Sequence, residues 1–244
     1  MRMIRLDKLL SENGISRRDA AKWIRAGRLK RDGLSLTSPG EVVDVEAGTY
    51  TLDGAPLRTA KHLHLMVNKP AGCLTATEDG RGSTVMDLLP ESLRRRGLGP
   101  VGRLDKDVTG LVLMTTDGQL AHRLISPKWE QEKHYLATVE GELTGETVER
   151  FARGVPLKDF TARPAKLTIL ERGADQSRCE VVVCEGKYHQ VKRMLAACGH
   201  PVIALKRQSI ADIPLDPALA EGEWRELTDG ERLHLYQVTE LKEE

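Results

Sequence analysis

The chain has 244 residues, 40% of them hydrophobic and 30% charged, with a formal net charge of +1. That is enough apolar material for a packed core in one or two domains and excludes a disordered chain. No run approaches the roughly 18 apolar residues of a membrane span, and the opening MRMIRLDKLLSENG lacks the unbroken apolar stretch of a signal peptide, so a cytoplasmic protein with no membrane partner is expected.

The near-neutral total hides an asymmetry. Residues 1–31 hold ten Lys/Arg against three acids, a net charge of +7. This reads as a phosphate-binding face or as a solvated helix surface. Within that stretch, Leu6, Leu9 and Leu10 share one side of a short helix over 6–13, stopped by Gly14. Ser16 caps a second helix that ends near Gly27. Arg17, Arg18, Lys22 and Arg25 lie about one turn apart on its wet side. Short strands follow at 28–33, 42–46 and 49–54, and residues 57–61 read as a linker. From residue 62 a longer domain begins. HLHLMVNK (62–69) alternates as a strand, 85–97 is helical in part, and LVLMTT (111–116) is an apolar strand ended by Asp117-Gly118. HYLATVEGE (134–142) is a strand, GETVERFARG (145–154) a helix closed by Gly154, and 165–172 with 177–186 a hairpin. YHQVKRMLAACG (188–199) is a helix, 202–210 a strand, and Thr228 with Glu231 is a capping box for a last helix. Strands outnumber helices without regular βαβ alternation, which favours a mixed, largely antiparallel sheet in an α+β fold.

Two segments can carry chemistry. GRLDKDVTGL (102–111) is a glycine-bounded polar loop feeding an apolar strand, where catalytic groups are common. Its Asp105 and Asp107 can serve as acid and base, bind a cation or decorate a turn. EGKYHQVKRM (185–194) opens a helix, where backbone N–H groups with Lys187, Lys192 and Arg193 can gather an anion or simply face solvent. The four cysteines, at 73, 179, 184 and 198, form no CxxC pair. They read as free thiols, with a metal site from Cys184, Cys198, His189 and His200 as the weaker alternative.

In combination these segments resemble a known family. Residues 1–60, through RLDKLL, SRRDA and the basic second helix, resemble an S4-type RNA-binding module. Residues 61–244, through NKPAG (68–72), GRLDKDVTGL, KHYLATVEG (133–141) and EGKYHQVKRML (185–195), resemble the catalytic domain of the S4-containing rRNA pseudouridine synthases. KYHQVKRM, with lysine at 192, and the ARPAKL segment are more similar to the small-subunit (16S) branch than to the large-subunit members.

The resemblance implies that a uridine in the 5′ domain of 16S rRNA, free or in a small-subunit assembly intermediate, is isomerised to pseudouridine. No atoms are gained or lost in that reaction, so no cofactor and no metal are expected, and the enzyme is expected as a monomer. By the same resemblance Asp105 is the acting carboxylate. It would attack C1′ of the ribose or C6 of the base, or take the proton from C2′; each route needs it ionised. Lys192 is its basic partner, Tyr135 stacks on the flipped base and Arg103 helps extrude it. Leu195 walls the pocket, and Lys69 and Pro70 scaffold it. Arg5, Lys8, Arg17, Arg18, Lys22, Arg25, Lys187 and Arg193 contact RNA, Arg193 because it points roughly 100° away from Lys192 on the helix. Asp107 is expected to face solvent or steady the loop. Val108 stands where relatives usually carry threonine, so one loop hydroxyl is missing. The alternatives are a large-subunit (23S) synthase, a non-catalytic RNA-binding assembly protein and, more distantly, a glycosidase-like hydrolase using Asp105 and Asp107.

Overall fold

The computed structural model describes residues 2–80, 82–94 and 97–242. Its described residues divide into two compact units, one from 2–63 with 90–94 and 97–98 and one from 64–80 and 82–89 with 99–242.

The first unit contains β1 (Met3–Arg5), α1 (Leu6–Glu12), α2 (Arg17–Arg25), β2 (Leu29–Arg31), β3 (Leu34–Leu36), β4 (Val42–Asp44), β5 (Tyr50–Leu52), β6 (Ala55–Pro56) and α3 (Glu91–Arg94). Strand β1 pairs with β4, and the others form an antiparallel sheet in the order β3-β2-β5-β6. The leucine spacing read from the sequence puts Leu6, Leu9 and Leu10 in the core, against Ile24, Leu29 and Tyr50. The Ser16 hydroxyl accepts the Asp19 N–H at 3.2 Å and caps α2. The stretch expected to be a linker is partly structural. Leu57 packs on this core, and the Asn13 side chain bonds both the N–H and the C=O of Arg58 at 2.9 Å. An amide side chain supplied by α1 gives that backbone partners which sequence spacing does not reveal. Residues 90–94 and 97–98, assigned to the second domain by position in the chain, pack with the first unit. Gly14, at φ +86°, gives them room, since a Cβ there would stand 3.3 Å from the Ser92 carbonyl oxygen.

The second unit contains β7 (His64–Lys69), β8 (Gly99–Pro100), β9 (Thr109–Thr115), α4 (Gly118–Ile125), a 3-10 turn at Pro127–Trp129, β10 (Lys133–Glu140), α5 (Gly145–Arg153), β11 (Lys166–Glu171), β12 (Gln176–Val183), α6 (Gln190–Ala197), β13 (Val202–Ile210), β14 (Ile213–Pro214), β15 (Trp224–Glu226) and α7 (Asp229–Val238). One sheet runs β11-β12-β10-β13-β9-β7-β15, with β14 on β13 and β8 on β9. Among the described strands of this sheet only β13 and β9 pair in parallel, so the sheet is mixed and largely antiparallel, as expected. All six residues of β7 are buried despite the alternating pattern. The polar ones find partners: His64 Nδ1 lies 2.9 Å from Thr115 Oγ1, and Asn68 Nδ2 donates to the Leu219 carbonyl at 2.7 Å. Helix α4 was not expected. Asp117, read as the end of a strand, is its N-cap and accepts from Gln119 N and Leu120 N. Leu120 and Leu124 bury its inner side against Met66, Leu113 and Tyr236. The Thr228–Glu231 capping box is present on α7.

Candidate active site

The polar loop between β8 and β9 is held from below. Buried Thr75 takes the Leu104 N–H on its hydroxyl oxygen at 3.1 Å and donates to the Leu104 carbonyl at 2.9 Å. Lys69, with no exposed surface, donates through Nζ to the carbonyls of Pro70, Lys106 and Val108 at 3.0, 3.2 and 2.7 Å. Burial pushes its ammonium below the ordinary lysine range. Thr75 thus holds the residue before Asp105, and Lys69 holds the backbone of two residues after it. Gly110 ends the loop at φ +101°, and a Cβ there would meet the Arg207 carbonyl oxygen at 2.2 Å, so only glycine fits.

The clamped loop faces α6. Val108 N donates to Asp105 O at 3.1 Å, and this turn brings the carboxylates of 105 and 107 to the same lysine. Lys192 Nζ lies 2.6 and 2.7 Å from the Asp107 carboxylate oxygens and 3.6 Å from Asp105 Oδ2. The expected partnership of Lys192 with Asp105 is therefore shared, with Asp107 as the nearer acid. Asp107 is exposed, and its bond to Lys192 holds its carboxyl below the usual range. The other oxygen, Asp105 Oδ1, has His189 Nε2 at 3.4 Å. Asp105 itself is half-buried.

A pocket opens over this group, lined by Arg103, Asp105, Tyr135, Lys187, His189 and Lys192, with Leu104, Val108, Val183, Val191 and Leu205 as its apolar wall. Tyr135 is buried on β10, opposite Arg207 of β13. Leu195, expected to wall this pocket, is fully buried and does not line it. It stands one helical turn beyond Val191 on α6, which carries it away from the helix end that faces the loop. Val108 is buried in the wall, so its methyl groups occupy an apolar position.

Sequence reasoning missed three residues here. Buried Glu185 accepts from the Arg163 N–H at 3.0 Å and from Gln190 Nε2 at 2.9 Å, while Gln190 Oε1 accepts the Lys187 N–H at 3.0 Å. These bonds fix the Glu185–His189 loop. His189, considered only as a metal ligand, sits in the left-handed region at φ +49° and faces Asp105. Its other proposed co-ligands are elsewhere: His200 Nε2 lies 3.1 Å from Thr147 Oγ1, and no group of three or more His, Cys, Asp or Glu able to hold a metal occurs among the described residues. Arg193, expected at RNA, is ion-paired with Asp159 and lies 5.3 Å from the Phe160 ring centroid. Of the basic residues of the first unit, Arg5 pairs with Asp7 at 2.7 Å, whereas Lys8, Arg17, Arg18, Lys22 and Arg25 are exposed.

A half-buried carboxylate between two basic side chains, at the floor of a pocket with an aromatic wall and cations at its mouth, is suited to act on a flat, uncharged ring attached to a phosphodiester chain. A family model described as RNA pseudouridylate synthase matches residues 63–197, and an S4 domain model matches residues 4–47. The chain belongs to the RNA pseudouridylate synthase family, with an S4 domain at its N-terminal end. It is 44% identical to ribosomal small subunit pseudouridine synthase A of Yersinia pestis, over 93% of this chain and 96% of that one. It is 41% identical to the protein of that name from Escherichia coli, over 93% and 98%, and 43% identical to an uncharacterized RNA pseudouridine synthase of Bacillus subtilis, over 95% and 98%. A solved pseudouridylate synthase superposes with a TM-score of 0.67 at 37% identity, covering 95% of this chain and 99% of that one. No helix among the described residues is long and apolar enough to cross a membrane.

Proposed function

We propose that this chain isomerises one uridine of 16S rRNA, in the small-subunit 5′ domain, to pseudouridine, with Asp105 as the acting carboxylate. The observation that supports this most is the setting of Asp105: one oxygen faces Lys192 at 3.6 Å, the other His189 at 3.4 Å, in one pocket with Tyr135. Both neighbours are close enough to orient the carboxylate toward the pocket. In the reaction N1–C1′ breaks, the base turns in place and C5 bonds to C1′. The C5 proton is lost to a base or to solvent, and N1 carries a proton in the product. The uridine must leave its stack to enter the pocket, at a cost of a few kcal/mol. Tyr135 stacks on the extruded base and Arg103, exposed at the mouth, fills or holds open the place it left. Lys187, Lys8, Arg17, Arg18, Lys22 and Arg25 contact phosphates. The N-terminal module, residues 1–60, supplies affinity, the remainder supplies chemistry, and the enzyme works as a cytoplasmic monomer. The names of its relatives favour the small-subunit target.

The test is to map pseudouridines in the rRNA of cells lacking this gene. One site in the 16S 5′ domain should revert to uridine. Loss of a 23S site instead would give the large-subunit reading, and no loss at all would contradict the assignment.

A further inference from the structure

Tyr188 has no part in the chemistry above, yet 76% of it is exposed. Its ring lies against the His189 imidazole, with centroids 3.8 Å apart and planes 18° from parallel. Below it, His189 Nε2 stands 3.4 Å from Asp105 Oδ1. The carboxylate, the imidazole and the phenol therefore form a column of successive contacts, and the phenol at its end is largely exposed.

The column is held in place rather than free to turn. His189 adopts the left-handed backbone, which non-glycine residues seldom take. The loop on one side is fixed by the buried Glu185–Gln190 bond and by Gln190 on the Lys187 N–H. On the other side Arg193, itself anchored by Asp159, donates to the Tyr188 carbonyl at 3.4 Å. Cations lie along the same pocket and loop: Arg103 and Lys187 are exposed and line the pocket with His189, and Lys187 Nζ is held 4.1 Å from the Phe160 ring centroid. An exposed ring stacked on a residue that lines the pocket, with exposed cations in that lining, resembles the arrangement by which single-stranded RNA is held, base on ring and phosphate on cation.

We propose that the Tyr188–His189 stack is a nucleobase platform: the base adjoining the target uridine in the RNA chain stacks on the outer face of Tyr188. When the uridine is extruded its neighbour loses a stacking partner, and the phenol ring replaces it. The platform accepts any base, because every base has a π-face, so it adds affinity and position without reading sequence. This inference rests on the uridine-isomerase reading of the pocket.

The test uses the full chain and synthetic small-subunit rRNA stem-loops, measuring equilibrium binding by fluorescence anisotropy and conversion in single turnovers. Tyr188→Ala should weaken binding about tenfold, with the rate at saturating RNA within about threefold of wild type and an unchanged melting temperature. Tyr188→Phe should bind within twofold of wild type. An RNA abasic at one nucleotide adjoining the target should bind wild type about tenfold more weakly, and Tyr188→Ala should show little further loss on it. Wild-type affinity in Tyr188→Ala, or an undiminished effect on RNAs abasic at either adjoining position, would overturn the platform. If wild type binds but converts no uridine, the isomerase reading fails, while the binding comparison still decides the platform.

Discussion

Lys192 serves two carboxylates, and its substitution separates charge from geometry. Without the ammonium, Asp105 and Asp107 lose the cation they share, while His189 stays beside Asp105. Lys192→Met should lower single-turnover conversion at neutral pH at least 100-fold. Lys192→Arg should keep conversion within about tenfold, because the charge survives in a different donor geometry. Equal loss in both would show that charge is not what Lys192 contributes. A second residue-scale prediction concerns Lys133, buried on β10 with Nζ bonded to the Gln131 carbonyl at 2.7 Å. Burial, then the neighbouring Arg207, pushes its ammonium down to about 8 from an ordinary value of 10.5. Between those two pH values the unfolded chain binds a proton that the folded chain has released, so stability rises with pH across that window; below it the full cost applies. Lys133→Met should be more stable than wild type at pH 7 by about 2 kcal/mol in urea unfolding. That gain should shrink from pH 8 to 10.5, and a difference constant with pH would contradict this. Asp105, Lys192 and Tyr135 were legible in sequence because each sits inside a motif. His189, Glu185 and Gln190 were not, because their roles depend on how one loop folds back on a helix end. Leu195 was misplaced by a single helical turn.

At the scale of elements, the loop carrying Asp105 is fixed by neighbours from three directions: β7 through Lys69, the following turn through Thr75, and β13 through the close approach at Gly110. Gly110→Ala would force a Cβ into the Arg207 carbonyl at a left-handed residue, at the one parallel pairing of the sheet. It should destabilise the chain by about 2 kcal/mol or more and lower conversion as the loop shifts. Wild-type urea stability in this variant would contradict the clamp. Most strands were legible here because alternation or an unbroken apolar run survives in the sequence, and the Thr228–Glu231 box announced α7. Helix α4 was missed because Asp117-Gly118 is at once a turn signal and a helix start, and eight residues give periodicity little room. The linker and residues 90–94 and 97–98 were misread because long-range side-chain-to-backbone bonds and close packing, not local pattern, tie them to the first unit.

At the scale of the molecule, charge and chemistry are divided between the two units. Residues 1–31 carry +7, and every residue of the Asp105 pocket lies between 103 and 205. Neutralising Arg17, Arg18, Lys22 and Arg25 together should raise the RNA concentration needed for half-maximal conversion strongly and leave the saturated single-turnover rate near wild type. It should also reduce the slope of log K against log[salt] by about 3, since each phosphate contact contributes roughly 0.7–0.9. An unchanged slope would leave α2 a solvated surface. The net charge of the whole chain gave no hint of this division; only its distribution along the sequence did. The central claim, that Asp105 isomerises uridine, is tested most directly by release of tritium from small-subunit rRNA transcribed with [5-³H]uridine, because the C5 hydrogen must leave when C5 bonds to C1′. Wild type should release tritium from a single site per molecule, while Asp105→Asn should release none above background and still bind the RNA. Release by Asp105→Asn within tenfold of wild type would contradict the account.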